Sequence, residues 1–193
     1  SMVSFLLAAK ANIPYFKPML VLGFSAIFIL GLIDDIKDIS AKLRLSMHFL
    51  VSLMMYLFGT FYYFTAGVFG DTVFMQVIIG LFFVVWNTGM VSAVNWIDGL
   101  DGLAGGLSAI AVSAFAFIMV WNNNTDFALP IAAGLIGAVL GFLPYNWHPS
   151  KTIMGDNGST FLGFMLGALS IVVVNGCRTI LAFCVPLLIL AVP

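Results

Sequence analysis

The residues able to do chemistry in this sequence are carboxylates, and they are grouped. All eight acidic residues are Asp, at 34, 35, 38, 71, 98, 101, 126 and 156, and six of them fall in three short clusters. A charge in an apolar chain is costly unless it lies at an interface or in a polar cavity, so clustering asks for a site. The first cluster is Asp34-Asp35-Ile36-Lys37-Asp38. Asp34 and Asp38 are four apart and share a face if a helix runs through them. Their mutual repulsion is relieved by a divalent cation or a bound proton. The same residues could also be a helix end meeting water, with Lys37 and Lys42 as partners.

The second cluster is Asn95-Trp96-Ile97-Asp98-Gly99-Leu100-Asp101-Gly102. Asn95, Asp98 and Asp101 recur every third residue, so one helical or 3₁₀ turn gathers three oxygen-bearing side chains. Such hard donors suit Mg²⁺, which keeps waters and takes further ligands from substrate phosphates. The third cluster runs from Asn146-Trp147-His148-Pro149 to Met154-Gly155-Asp156-Asn157-Gly158-Ser159, where a long apolar run begins. A helix N-terminus there offers free N–H groups and a positive dipole end to a phosphate. Asp156 could cap that helix or hold a metal against the phosphate. His148 could be a base or a solvated loop histidine. The three clusters together describe Mg²⁺-assisted phosphoryl chemistry on a substrate reached from the bilayer.

The elements that must position these residues are membrane helices. The chain has 193 residues, 62% hydrophobic and 8% charged, against about 25% charged in soluble domains. Its mean hydropathy is +1.14. Too few polar side chains exist to cover a water-soluble surface. The net charge of −1 leaves no basic face for nucleic acid. Continuous apolar runs at 18–33, 46–66, 72–94, 103–121, 128–145, 159–174 and 179–193 predict transmembrane helices, and residues 2–9 could end an earlier one. The expected fold is therefore an all-α polytopic membrane helix bundle of about seven to eight spans. Connections alternate between faces, which puts 34–45, 95–102 and 146–158, with all three clusters, on one side. That side carries Lys37, Lys42, Arg44 and Lys151, against Lys10, Lys17 and Arg178 on the other, a small bias towards a cytoplasmic site.

The order and spacing of these motifs closely resemble the polyprenyl-phosphate N-acetylhexosamine-1-phosphate transferases of glycosyltransferase family 4. The resemblance rests on Asp34-Asp35 with Asp38, on Asn95-x-x-Asp98-Gly99-x-Asp101-Gly102-Leu103-Ala104-Gly105-Gly106, and on Phe142-Leu143-x-Tyr145-Asn146-x-x-Pro149 running to Met154-Gly155-Asp156-x-Gly158-Ser159. It implies a bacterial plasma-membrane enzyme, multi-pass, with its site facing the cytoplasm. It implies a UDP-sugar donor, a polyprenyl phosphate acceptor, surrounding membrane lipids, and release of UMP. It also implies dependence on Mg²⁺, with Mn²⁺ as a substitute. Asp156 and Asn95 would hold the metal. Asp34, Asp35, Asp98 and Asp101 are the candidate catalytic residues, with Asp34 as base or lipid-phosphate positioner. Asn146, which would contact the uridine, joins Asp38, Lys37, Gly155 and His148 as candidate substrate-binding residues. The run Gly158-Ser159-Thr160-Phe161-Leu162-Gly163-Phe164 is similar to the GlcNAc-1-phosphate branch that initiates teichoic acid and O-antigen synthesis, rather than the phospho-MurNAc-pentapeptide branch.

Ser92 stands where relatives of that branch usually carry another Asn. The apolar run at 187–193 ends inside what would be a span, and the resemblance implies further helices and a His-rich cytoplasmic loop. Residues 1–193 are therefore expected to be a single transmembrane transferase domain truncated at both ends, which leaves a catalytically incomplete fragment as an alternative. Relatives can be homodimeric, and no feature of the sequence decides this. Two other classes fit less well. A CDP-alcohol phosphotransferase needs an Arg close after Asp98-Gly99 and further spaced Asp residues. A transporter predicts carboxylates at mid-span, whereas these lie at span ends.

Overall fold

The computed structural model describes residues 16–37, 39–57, 73–123, 128–177 and 184. Among them the regular structure is six α-helices: α1 Phe16–Lys37, α2 Ala41–Leu57, α3 Val73–Ile97, α4 Leu103–Trp121, α5 Ala128–Asn146 and α6 Gly155–Cys177. Helix is what an uninterrupted apolar segment must adopt in lipid, where backbone polar groups find partners only within the segment. Among the described residues four helical segments are long and apolar enough to cross a membrane: Gln76–Ile97, Leu103–Trp121, Ala128–Asn146 and Gly155–Val174. The all-α bundle expected from the sequence is what forms. The count of seven to eight spans is not reached among the described residues: α1 and α2 stand at two further expected positions, and 179–193 lies almost wholly outside them.

The core is built around α6. Its membrane stretch is 83% buried, the largest share of the four spans. It packs on α1, α3 and α4, while α5 packs chiefly on α4. Phe83, Phe115, Phe164, Ile27 and Met90 fill the interior. Phe24 of α1 meets Phe161 and Phe164 of α6 edge-on, with ring centres 6.3 and 5.8 Å apart. Two glycines let backbones close up. A Cβ on Gly163 would stand 2.6 Å from Val91 Cα of α3, and one on Gly31 would stand 2.7 Å from Asn157 Cα of α6. Outward faces stay apolar, with Leu22, Phe74, Leu81, Ile110 and Phe117 exposed where lipid would cover them.

The helices run past the apolar segments that predict them. α1 continues through Asp34 and Asp35 to Lys37, α3 continues through Asn95 to Ile97, and α6 begins at Gly155, ahead of Ser159. An apolar count stops at the first charge, but a helix can extend into the headgroup zone where polar side chains are satisfied. Asp34, Asp35, Asn95, Asn146, Gly155 and Asp156 therefore sit on terminal helical turns, whereas Asp98, Asp101 and His148 lie in the connections.

Candidate active site

Hydrogen bonds gather the ends of α1, α2, α3 and α6 at one place. Asp34 lies in the last turns of α1 and is buried. A carboxylate there opposes the helix dipole. Its Oδ1 accepts the Ile39 N–H at 3.0 Å, and its Oδ2 accepts Arg44 Nη1 at 2.8 Å. Arg44 lies in the first turn of α2, where a cation again opposes its own dipole. Each wrong-signed charge is balanced by the other. The same Nη1 also donates to Asp156 Oδ2, in the first turn of α6. Asp156 alone has the sign its helix end favours.

The last turn of α3 supplies Asn95. Its Nδ2 donates to Asp156 Oδ1 at 2.8 Å and to Ser159 Oγ at 2.9 Å. Asp35, exposed, accepts the Asn157 N–H at 3.3 Å. Gly155 holds φ at +72°, left-handed backbone that glycine tolerates, and a Cβ there would lie 3.6 Å from Asp35 Oδ2. Asp98 lies just beyond α3. Burial first, and the charge of Asp156 second, push its carboxyl up to about 6.

A second set of contacts laces the α3–α4 turn to the α5–α6 loop. Asn146, buried at the end of α5, accepts the Gly102 N–H at 3.1 Å through Oδ1 and donates to the Thr152 carbonyl at 2.9 Å through Nδ2. Asp101 Oδ2 accepts the Ser150 N–H at 3.2 Å and meets His148 Nδ1 at 3.0 Å. The His148 hydrogen bond foremost, then Ser150, holds the Asp101 carboxyl below its ordinary value.

The structure thus brings Asp34, Asp35, Asn95, Asp98 and Asp156 to one cluster. It places Asp101, Asn146 and His148 in the adjoining loop brace, where the Asn146 amide is spent on backbone partners. Gly155 joins the cluster at Asp35. Lys37 is exposed on the last turn of α1, and Asp38 lies outside the described residues. Three participants were not singled out as site residues from sequence: Arg44, Ser159 and His48. Arg44 carried a usable signal, because an apolar chain that places a cation in a helix's first turn must pair it. Ser159 lay inside a recognised motif. His48 is buried one turn after Arg44 and lines a small cavity with Asp34, Arg44 and Gly31. Nothing in its spacing distinguishes it from a packed histidine.

The donor set suits a hard cation. It is all oxygen and mostly anionic, with Asp34, Asp35, Asp98 and Asp156 gathered near Asn95. Among the described residues no three His, Cys, Asp or Glu side chains close into a metal cage. Mg²⁺ does not require one, since it takes one or two carboxylates and completes its shell with water and phosphate.

Residues 18–174 match Glycosyl transferase family 4, and the chain belongs to that family. Particular relatives narrow the likeness. The chain is 34% identical over 175 residues to the probable undecaprenyl-phosphate N-acetylglucosaminyl 1-phosphate transferase of Bacillus subtilis (strain 168), covering 90% of this chain and 49% of the relative. It is 35% identical over 163 residues to the decaprenyl-phosphate N-acetylglucosaminephosphotransferase of Mycolicibacterium smegmatis, covering 79% and 40%. It is 34% identical over 155 residues to the phospho-N-acetylmuramoyl-pentapeptide-transferase of Enterococcus faecalis, covering 75% and 48%. The chain spans about half the length of the curated relatives it matches, or less.

Proposed function

We propose that this chain carries the core of an enzyme that transfers GlcNAc-1-phosphate from UDP-GlcNAc to undecaprenyl phosphate, releasing UMP, at the cytoplasmic face of a bacterial plasma membrane. The single observation behind this reading is the convergence of Asp34, Arg44, Asn95 and Asp156 where helices α1, α2, α3 and α6 end. Exposed Trp96 and Trp147 beside the cluster suit the level of the membrane interface, where a lipid phosphate lies. The names of the Bacillus and Mycolicibacterium relatives, and the run from Gly158 to Phe164, support GlcNAc over the MurNAc-pentapeptide.

In the transfer, an oxygen of the lipid phosphate attacks the sugar-bearing phosphorus of the donor. The bond from that phosphorus to the bridging oxygen breaks, and UMP leaves with the electron pair. Asp156 and Asn95 are the residues that would hold Mg²⁺, which would supply charge neutralisation at the pyrophosphate. The acceptor is already largely ionised near neutral pH, so a strong base is not required. Asp34, buried and with both oxygens engaged, ties α1 to Arg44 of α2 and through it to Asp156 of α6, and so aligns the acceptor, where positioning is the larger contribution. The positive dipole end of α6, at Gly155 and Asp156, favours phosphate nearby.

The test is UMP release by the chain in lipid nanodiscs with Mg²⁺, undecaprenyl phosphate and either UDP-GlcNAc or UDP-MurNAc-pentapeptide. Release with UDP-GlcNAc that disappears in Asp156→Asn supports the proposal. Preference for the pentapeptide donor moves the chain to the other branch. No release from this chain, but release from its intact gene product, makes it an incomplete core of the same reaction.

A further inference from the structure

Arg44 is the one cation inside the described cluster, and phosphate transfer at Asp156 does not by itself call for it there. We propose that Arg44 is an internal counter-cation: paired to both Asp34 and Asp156, it takes a divalent cation's place on Asp156 and gives up that carboxylate when the cation binds. The inference rests on the reading of Asp156 and Asn95 as cation ligands.

The geometry is unusual for arginine. A guanidinium normally meets a carboxylate as a fork, with two parallel N–H···O bonds. Here a single nitrogen, Nη1, serves two carboxylates from two helices, Asp34 of α1 and Asp156 of α6. That is how a point charge sits between anions. Both oxygens of Asp156 are engaged, Oδ2 by Arg44 and Oδ1 by Asn95. A divalent ion arriving at Asp156 meets a positive charge on the same carboxylate and repels it. Leaving Asp156 does not strand Arg44, because Asp34 remains its partner at 2.8 Å and a small cavity adjoins both side chains. Arg44 thereby keeps α1 and α6 in register before the cation arrives, at the expense of cation affinity. Apparent affinity falls by the fraction of molecules whose site is free.

The experiment uses the full chain in phosphatidylcholine nanodiscs and Mn²⁺, with free Mn²⁺ read by electron paramagnetic resonance. Arg44→Gln is expected to bind Mn²⁺ about tenfold more tightly than the unmodified chain and to unfold at lower temperature without metal. The unmodified chain supplies a second readout. Its arginines are Arg44 and Arg178. Phenylglyoxal should modify Arg44 several-fold faster with Mn²⁺ present, relative to Arg178 in the same sample, as read by peptide mass spectrometry. Unchanged or weaker Mn²⁺ binding in Arg44→Gln overturns the proposal, as does an Arg44 whose reactivity ignores Mn²⁺. Should that variant not fold, the phenylglyoxal result decides alone. Asp156→Asn separates the two readings: Mn²⁺ binding that survives in it sinks the Asp156 cation site itself, whatever Arg44 does.

Discussion

Two polar assemblies lie side by side at the same end of the bundle, and they are built oppositely. One joins helices: Asp34, Arg44, Asn95 and Asp156 bond across α1, α2, α3 and α6. The other joins connections: Asp101, Asn146, His148 and Ser150 tie the α3–α4 turn to the α5–α6 loop. Both use aspartates from one sequence motif, yet their carboxyls move in opposite directions. Asp98 is pushed up by burial beside another charge, and Asp101 is drawn down by hydrogen bonds at the surface. Three residues of spacing separate a half-buried carboxyl beside another charge from an exposed one supplied with hydrogen-bond partners. The inter-helix assembly sets several carboxylates around a single arginine. The inter-loop assembly is complete without one.

The comparison can be broken most severely at Asp156. Asp156→Asn should lower UMP release by about 10²- to 10³-fold, the order seen when one fixed electrostatic partner of a developing charge is removed. A variant retaining wild-type turnover would show that the inter-helix assembly is only structural. Next comes Asn146. Asn146→Ala leaves the Gly102 N–H and the Thr152 carbonyl without their partner, a penalty of about 1–3 kcal/mol at a buried site. Thermal unfolding in nanodiscs should register it with no substrate present. An unchanged unfolding temperature would instead favour the uridine contact that the family resemblance implies for this residue.

A smaller effect is expected from pH. The folded Asp98 holds its proton up to about pH 6, whereas an unfolded aspartate releases it near 3.9. The folded state therefore binds more protons between those values, and metal-free stability should fall as pH rises through that window. Asp98→Asn should flatten this slope and raise the metal-free unfolding temperature at pH 7.5. A steeper slope in the variant would contradict the assignment. The smallest effect belongs to His148. Its ring is exposed, so His148→Ala should leave both unfolding temperature and Mn²⁺ affinity within error. A large loss of turnover with intact stability would promote His148 from brace to substrate contact.

Much of this was legible in the sequence, for reasons that can be named. The apolar runs located α3 to α6 because lipid leaves a continuous apolar segment no alternative to helix. Even counting of spans placed the three Asp clusters on one side, and the structure joins them there. The helix ends were less legible. The extension of α1 through Asp34 and Asp35 depends on Arg44 and Asn157, partners that lie 10 and 122 residues from the carboxylates they bond.

What the sequence by itself determined is the chemistry available and its neighbourhood: an oxygen-rich, anionic set of side chains at the ends of membrane helices, in the order that glycosyl transferase family 4 uses. Composition and local spacing carry that information, because they act within one helix or one turn. Only the tertiary structure decided how each charge is satisfied. Arg44 was one of seven cations counted for orientation until the packing of α1, α2 and α6 set it between two carboxylates. Asn146 was one more polar side chain until the approach of the α3–α4 turn consumed its amide. Partners across helices depend on backbone approach, through contacts such as Gly31 against Asn157 and Gly163 against Val91, and no local pattern encodes that distance.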